Sequence, residues 1–484
     1  MAQKNLYKKL KKNILIRNKK FFFDKLDRFS NYDAVVTENN EIIKYKDFIK
    51  KINSIENIIG KERNRIFLLA DNSYEFLASY YAMLRKRSII FLLNSRLKMK
   101  KINELVKIYK PNFIFDCESF YNERKDYDTV KIENRLQILK NKKSLNYENN
   151  NKLAQLISTS GSTGSPKFVM QSFESIEINT KDIVKTLKLN KYDKTITTMN
   201  PSYTYGLTKI NTHICVGGTI ILNKKTVFDK DFWNKINIYK VTNFGGVPFF
   251  YEMLKKLNFH KFNFKNLKHI TQAGGKLSSE ILKYMHKTTK QLKIKFYIMY
   301  GQTEAGPRIT ILDSKKLDKK IKSVGKPIGN NKLWLEDKKR NIIKKPNIIG
   351  ELFCKGKNIM LGYAYSLSDL KRKKIHNYIN TGDLAYKDQD GFFYITGRTK
   401  RIIKPFGIRI DLGELEKYLD SKNFLNCTCI GDDRKIHIYS KYTHQIDEIK
   451  RLVLNKLNLK KNIIFFFEEN KIPRDKNGKI IYTI

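Results

Sequence analysis

Three short apolar runs, RIFLLA at 65–70, SIIFLL at 88–93 and NFIFD at 112–116, are separated by segments whose apolar residues recur every three or four positions. Runs of this length lack the alternation of a half-exposed strand and are too short for a core helix, so they predict strands buried on both faces. Strands alternating with amphipathic helices predict α/β architecture with a doubly wound parallel sheet, whose ligands sit beyond the strands' carboxyl ends. Phe48, Ile52, Ile55 and Ile59 mark one helix that stops at Gly60. In DNSYEFLASYYAML, Asn72 is the expected N-cap, with Glu75 completing a capping box. KINELVKIY reads as a further helix and LAQLIS at 153–158 as a further strand. The stretch from Glu118 to Asn151 is polar and irregular and reads as a connection or surface excursion. There is no internal repeat.

With 484 residues, 41% of them hydrophobic, the chain is long enough for two or three domains. No apolar run approaches the ~18 residues of a membrane helix, so no transmembrane segment is expected. The basic N-terminus MAQKNLYKKLKKNILIRNKK lacks the apolar core and cleavage site of a secretory signal, and a cytoplasmic location is expected. Lysine and arginine number 96 against 47 acidic residues, a net charge of +49 that would attract nucleic acid, anionic lipid or phosphorylated ligands. The lysines are spread evenly, and neither a helix-turn-helix nor an RNP-type aromatic pattern is present, so no specific nucleic-acid partner is expected. Five scattered cysteines and seven histidines show no ligand spacing, which argues against a disulfide framework or a zinc site. The pair Cys427 and Cys429 reads as two strand residues facing opposite ways.

Directly after LAQLIS comes ISTSGSTGSPKFVM at 157–170. Gly161 and Gly164 let the backbone approach an anion, Ser158, Thr159, Ser160, Ser162 and Thr163 offer hydroxyl donors, and Lys167 offers charge. This combination suits a polyphosphate. It is not the P-loop of nucleotide kinases, which needs Gly-Lys-Ser/Thr opening a helix, because Ser165-Pro166 precedes the lysine.

SGSTGSPK at 160–167 resembles the phosphate-loop signature of the acyl-adenylate-forming (AMP-binding) superfamily: acyl-CoA synthetases, aryl-CoA ligases, luciferases and the adenylation domains of nonribosomal peptide synthetases. In the family's order follow YGQTE (300–304), GELFCKGKNIMLGY (350–363), NTGDL (380–384), GRTKRIIKPFGIRIDLGELE (397–416) and IPRDKNGKI (472–480). The resemblance implies a large N-terminal domain, residues 1–398, of doubly wound sheets with helices plus a distorted β-barrel region. It implies a small mobile α+β C-terminal domain, 399–484, shorter than in most relatives, with its hinge near Lys400. The implied reaction adenylates a carboxylic acid with ATP and Mg²⁺, then passes the acyl group to a thiol.

By resemblance, Lys479 bridges carboxylate and α-phosphate, Thr303 touches the α-phosphate and Glu304 associates with Mg²⁺. Tyr300 and Gly301 border the adenine, Asp383 and Arg398 the ribose, and Ala273, Gly274 and Gly275 of TQAGGKL the adenine edge, although Lys276 stands where proline is common. The acid pocket is expected to be lined by PSYTYGL, NFGGVPFF, Ala273 to Gly275 and the residues after Glu304, with Tyr203, Gly206, Phe244, Gly245, Gly246 and Gly301 singled out; its aromatic and glycine character suits an apolar, aryl or modest-length acid. PSYTYGL carries no aspartate for an α-ammonium group, which argues against an ordinary α-amino acid. Gly407 would border the thiol tunnel. Phe168 stands where the family usually has glycine, and with the shortened C-terminal part this is the chain's departure from the pattern. The acceptor is coenzyme A or, as the alternative, the phosphopantetheine of an acyl carrier protein loaded in trans. Passage of the adenylate to an amine, nucleotide binding without turnover and nucleic-acid binding are the remaining readings.

Overall fold

The computed structural model describes residues 21–117, 125–133, 135–143, 147–158, 167–373, 377–398, 401–408, 410–457, 459 and 463–473. The three apolar runs form strands Arg65–Ala70, Ile89–Asn94 and Phe113–Asp116, which pair in parallel with one another and with Leu153–Ser158 at the centre of an eight-stranded sheet. Antiparallel strands Phe168–Ser172 and Gly362–Ala364 complete one edge. A second sheet of nine strands is parallel through Asp33–Val36, Thr219–Ile221, Lys194–Ile196, Asn243–Gly246, His269–Gln272 and Lys295–Tyr300. Helices cover both sheets, and the first core cluster joins them, since it contains Ile66 and Leu68 of one and Val35 and Ile220 of the other. A third, antiparallel sheet runs Lys332–Glu336, Gly350–Lys355, Tyr378–Lys387, Phe393–Arg398. Residues from Ile402 to Glu468 build two small sheets whose own core gathers Ile403, Leu415, Cys429, Ile438 and Val453.

Helix Tyr45–Ile59 buries the expected stripe Phe48, Ile52, Ile55 and Ile59, and Gly60 ends it at φ 78°, where a side chain would be strained. The next helix, Tyr74–Arg85, starts one residue later than the sequence suggests. Ser73 is its N-cap, its hydroxyl accepting from Phe76 N at 3.2 Å, while Asn72 is drawn aside to donate to Asn223 O.

Two other expectations are corrected. Within the supposed excursion, Tyr127–Glu133 and Leu136–Asn141 form a hairpin on the edge of the first sheet; the outer strand is polar because it is solvated, which hid it. Cys427 and Cys429 lie in one core cluster instead of facing opposite ways, since a spacing of two returns side chains to the same face. All five cysteines are reduced and buried.

The small C-terminal core touches the large one through an aromatic pair. Phe406, held at φ 53°, sets its ring edge-to-face on Phe249 with centroids 5.2 Å apart, and Phe249 belongs to helix Pro248–Lys256. Main-chain N of Lys404 in the same loop donates to Asp433 Oδ1. Among the described residues no helix is long and apolar enough to cross a membrane.

Candidate active site

Ser158 and Phe168 are register partners at the ends of two antiparallel strands, so the Ser/Thr/Gly loop leaves the sheet at a strand's carboxyl end. Thr159, Ser160, Gly161, Ser162, Thr163 and Gly164 of that loop lie outside the described residues, as do Lys400 and Lys479. Lys167 is described, with Nζ 4.1 Å from the centroid of the Tyr363 ring. Tyr363 in turn donates from Oη to Glu304 Oε1 at 3.0 Å. An ammonium, an aromatic face and a buried carboxylate are thus strung together across the first sheet's edge. The unusual Phe168 does not enter this group. Its ring packs edge-on against Phe91 and Tyr109 in the core.

The segment carrying Thr303 and Glu304 leaves the carboxyl end of Lys295–Tyr300 in the other sheet and is fixed from several directions. Gln171 Nε2 donates to Thr303 O at 2.9 Å, Met360 N donates to Glu304 O at 2.9 Å, and Asn358 donates to Ala305 O. Thr303 Oγ1 lies 3.0 Å from Thr204 Oγ1. Gly301 is required by packing, because a Cβ there would collide with the Pro307 carbonyl. Tyr300 Oη donates to Asp383 Oδ2 at 2.5 Å, which couples the residue assigned to adenine with the one assigned to ribose. Asp383 is buried, and its register partner across the third sheet is Arg398, whose side chain lies outside the described residues. Gly407 belongs to the loop that carries Phe406.

Tyr203 caps helix Thr204–Val216, and its hydroxyl occupies the space over Gly274, where an added Cβ would stand 2.7 Å away. Tyr205 does the same over Gly245, and donates to Thr271 O at 2.6 Å. Gly206 lets the helix approach Asn200 O, 2.7 Å from where a Cβ would be. Ala273 is buried in a cluster that includes Tyr205 and Met299, with Tyr203 packed against it, and Gly275 O accepts from Gln272 Nε2 at 2.7 Å. The structure therefore brings Tyr203, Gly206, Gly245, Ala273 and Gly274 together. It separates Phe244 and Gly246 from them. Strand alternation turns Phe244 into the cluster of Phe232, Phe250 and Phe259 on the opposite face, and Gly246 abuts the Phe250 ring.

Two buried cations lie beside these residues: Lys209, which sequence reasoning missed, and Arg308, which falls in the stretch after Glu304 expected at the pocket but was not singled out. Arg308 is 2% exposed, with its guanidinium 3.9 Å over the Tyr205 ring and its donors on Met299 Sδ and Pro307 O. Lys209, one helical turn beyond Tyr205, is also buried and donates to Asn243 Oδ1. His213 Nδ1 donates to the Lys209 carbonyl at 2.8 Å, which leaves Nε2 to accept from Asn243 Nδ2 at 2.9 Å. Burial, then the charge of Arg308, pushes Lys209 down to about 7. Burial and Lys209 push His213 down to about 3, so this histidine is neutral at ordinary pH. The signal was present in TYGLTKINTHICV, where a single lysine interrupts a helix buried on nearly all sides, and in the arginine directly after AGP.

Residues 22–364 match the family model described as AMP-binding enzyme. A 2-succinylbenzoate–CoA ligase of Oceanobacillus iheyensis is 25% identical over 397 residues, 80% of either chain. An oxalate–CoA ligase of Saccharomyces cerevisiae is 29% identical over 269 residues, 54% of this chain and 48% of the yeast protein. A double mutant of Bacillus subtilis o-succinylbenzoate CoA synthetase, bound to its product analogue, superposes with TM-score 0.77 at 19% identity, covering 95% of this chain and 96% of that one, an agreement of fold. With the family match spanning most of its length, the chain belongs to the AMP-binding enzyme family, the AMP-dependent ligases.

Proposed function

We propose that the chain is an acid:thiol ligase that adenylates a carboxylic acid with ATP and transfers the acyl group to coenzyme A. The observation that carries this reading is the convergence of Lys167, Tyr363, Glu304 and Thr303 beside the coupled pair Tyr300 and Asp383. The similarity to two CoA ligases supports the choice of acceptor.

The donor set fits a magnesium ion bound together with a triphosphate. Glu304 is a buried carboxylate and offers hard oxygen donors. Magnesium is commonly held by one or two carboxylates, with phosphate oxygens and water completing the shell. Once bound it would neutralise phosphate charge, with Glu304 as its protein ligand. Lys167 and the loop before it would hold the outer phosphates, Thr303 would donate to the α-phosphate, Tyr300 would lie against adenine, Asp383 would accept from the ribose hydroxyls and Arg398 would donate to the ribose. Held there, the acid's carboxylate oxygen attacks the α-phosphorus, the bridging bond to the β-phosphate breaks, and pyrophosphate leaves. The coenzyme A thiol, its proton given to solvent, then attacks the acyl carbon and AMP departs.

In this reading residues 1–398 and 399–484 are the two domains, and the small one turns about Lys400 to present Lys479 for the first step and the side of Gly407 for the second. A lysine placed against developing charge is worth about 10²–10³ in rate. Lys479→Ala should therefore slow acid-dependent exchange of pyrophosphate into ATP by about that factor, while transfer from a preformed acyl-adenylate to coenzyme A continues. Equal loss of both steps would remove Lys479 from its role. The test of the function itself is the same exchange across fatty, aryl, hydroxy, amino and dicarboxylic acids, followed by addition of coenzyme A or of a phosphopantetheinylated carrier protein. Exchange with one acid class and thioester on coenzyme A is the expected outcome. Thioester on the carrier alone would reassign the acceptor, and no exchange with any acid would overturn the proposal.

A further inference from the structure

Lys209 and Arg308 pose an electrostatic problem that adenylation chemistry does not answer. Burying an ammonium or a guanidinium is strongly unfavourable unless an anion compensates. Among the described residues neither has a carboxylate within ion-pair distance. Lys209 meets only the neutral Asn243, and Arg308 only a thioether, a carbonyl and the face of Tyr205. Asp193 is spoken for by Lys268 at 3.1 Å and by the Thr242 hydroxyl. Histidines 213 and 269 add no negative charge, and burial keeps His269 far below its ordinary value.

Both cations border residues expected to line the acid pocket. Arg308 covers the ring of Tyr205, whose hydroxyl reaches Gly245 and Thr271. Lys209 and Gly206 line, with Thr198 and Met199, a cavity of about 10 Å³, which is the size of one water or one carboxylate oxygen. The hydroxyls of Tyr203 and Tyr205 fill the room left by Gly274 and Gly245, so the space beyond the reacting carboxylate is short.

We infer that the pocket takes a short dicarboxylic acid, with one carboxylate adenylated and the second received by Arg308 and Lys209. This rests on the ligase reading and names its substrate class. It replaces the apolar or aryl acid that the aromatic and glycine residues suggest from sequence. Arg308 and Lys209 act as specificity residues: the distal carboxylate supplies the anion that the fold leaves out, and a guanidinium with an ammonium distinguishes it from a methyl or an amine.

The experiment is pyrophosphate exchange with oxalate, malonate, succinate and glutarate, each beside its monomethyl ester and the monocarboxylic acid of equal chain length. At least one diacid should show a kcat/KM more than tenfold above its ester. Arg308→Met should lower the ratio of diacid to ester kcat/KM by tenfold or more and leave KM for ATP within about twofold; Arg308→Lys should recover part of that ratio, and Lys209→Met should act in the same direction. Thermal melting of each variant checks folding. Diacid and ester used equally by the wild type, or lost equally in the variants, would overturn the inference. Should no acid support exchange, the ligase reading fails, and calorimetric titration of the full chain with the four diacids decides the anion site alone. Binding that Arg308→Met abolishes keeps the site, and no binding removes it.

Discussion

Lys209 carries its amine at a place where protonation is penalised, and that makes it measurable without any substrate. The unfolded chain binds this proton up to about 10.5 and the folded chain only up to about 7. Between those values the unfolded state holds more protons, so stability rises with pH, by up to about 1.4 kcal/mol per unit for one linked proton. The groups that set the shift are the guanidinium of Arg308, which lowers the value after burial, and Asp193, which raises it; His213 and His269 are neutral throughout. Urea midpoints from pH 7 to 9.5 should climb more steeply for the wild type than for Lys209→Met, and parallel curves would mean that the amine is solvated. At this scale the sequence was half legible. Lys167, Glu304 and Asp383 could be proposed because their motifs are contiguous, whereas the bond from Tyr363 to Glu304 joins residues 59 apart, and no spacing along the chain encodes it.

For the secondary elements, periodicity carried most of the information. The buried parallel strands and the helix stripe at Phe48, Ile52, Ile55 and Ile59 followed from apolar spacing alone. What periodicity missed were ends and edges. Two adjacent polar residues, Asn72 and Ser73, both qualify as caps, and the choice was made by a tertiary contact of Asn72 with Asn223. Ser73→Ala should cost about 1 kcal/mol, read as a lower melting temperature, and Asn72→Ala should cost less; the reverse order would restore Asn72 as the cap. The outer strand Tyr127–Glu133 has one solvated face and charged residues that blunt an open sheet edge, a pattern indistinguishable from a loop without its partner strand.

On the scale of the whole molecule, the packing of Phe406 on Phe249 ties the C-terminal core to the large one in one particular arrangement. That loop carries Gly407, so if the proposed cycle holds this arrangement would be its thiol-accepting state. An aromatic pair contributes about 0.5–1.5 kcal/mol, a population factor of up to roughly ten. Phe249→Ala should therefore slow thioester formation by about three- to tenfold and leave pyrophosphate exchange unaffected; equal slowing of both would make the contact merely structural. None of this was legible in the charge of +49, which has no concentrated motif. The burial of every cysteine has a practical side. Cys117, Cys215, Cys354, Cys427 and Cys429 all have thiols raised by burial, Cys215 and Cys354 to about 12. Thiolate is the form that reacts with colorimetric disulfide reagents. The native protein should therefore register almost no sulfhydryl in such an assay and five after denaturation, so that consumption of an added thiol substrate can be followed against a silent background, and the late appearance of colour becomes a clock for unfolding.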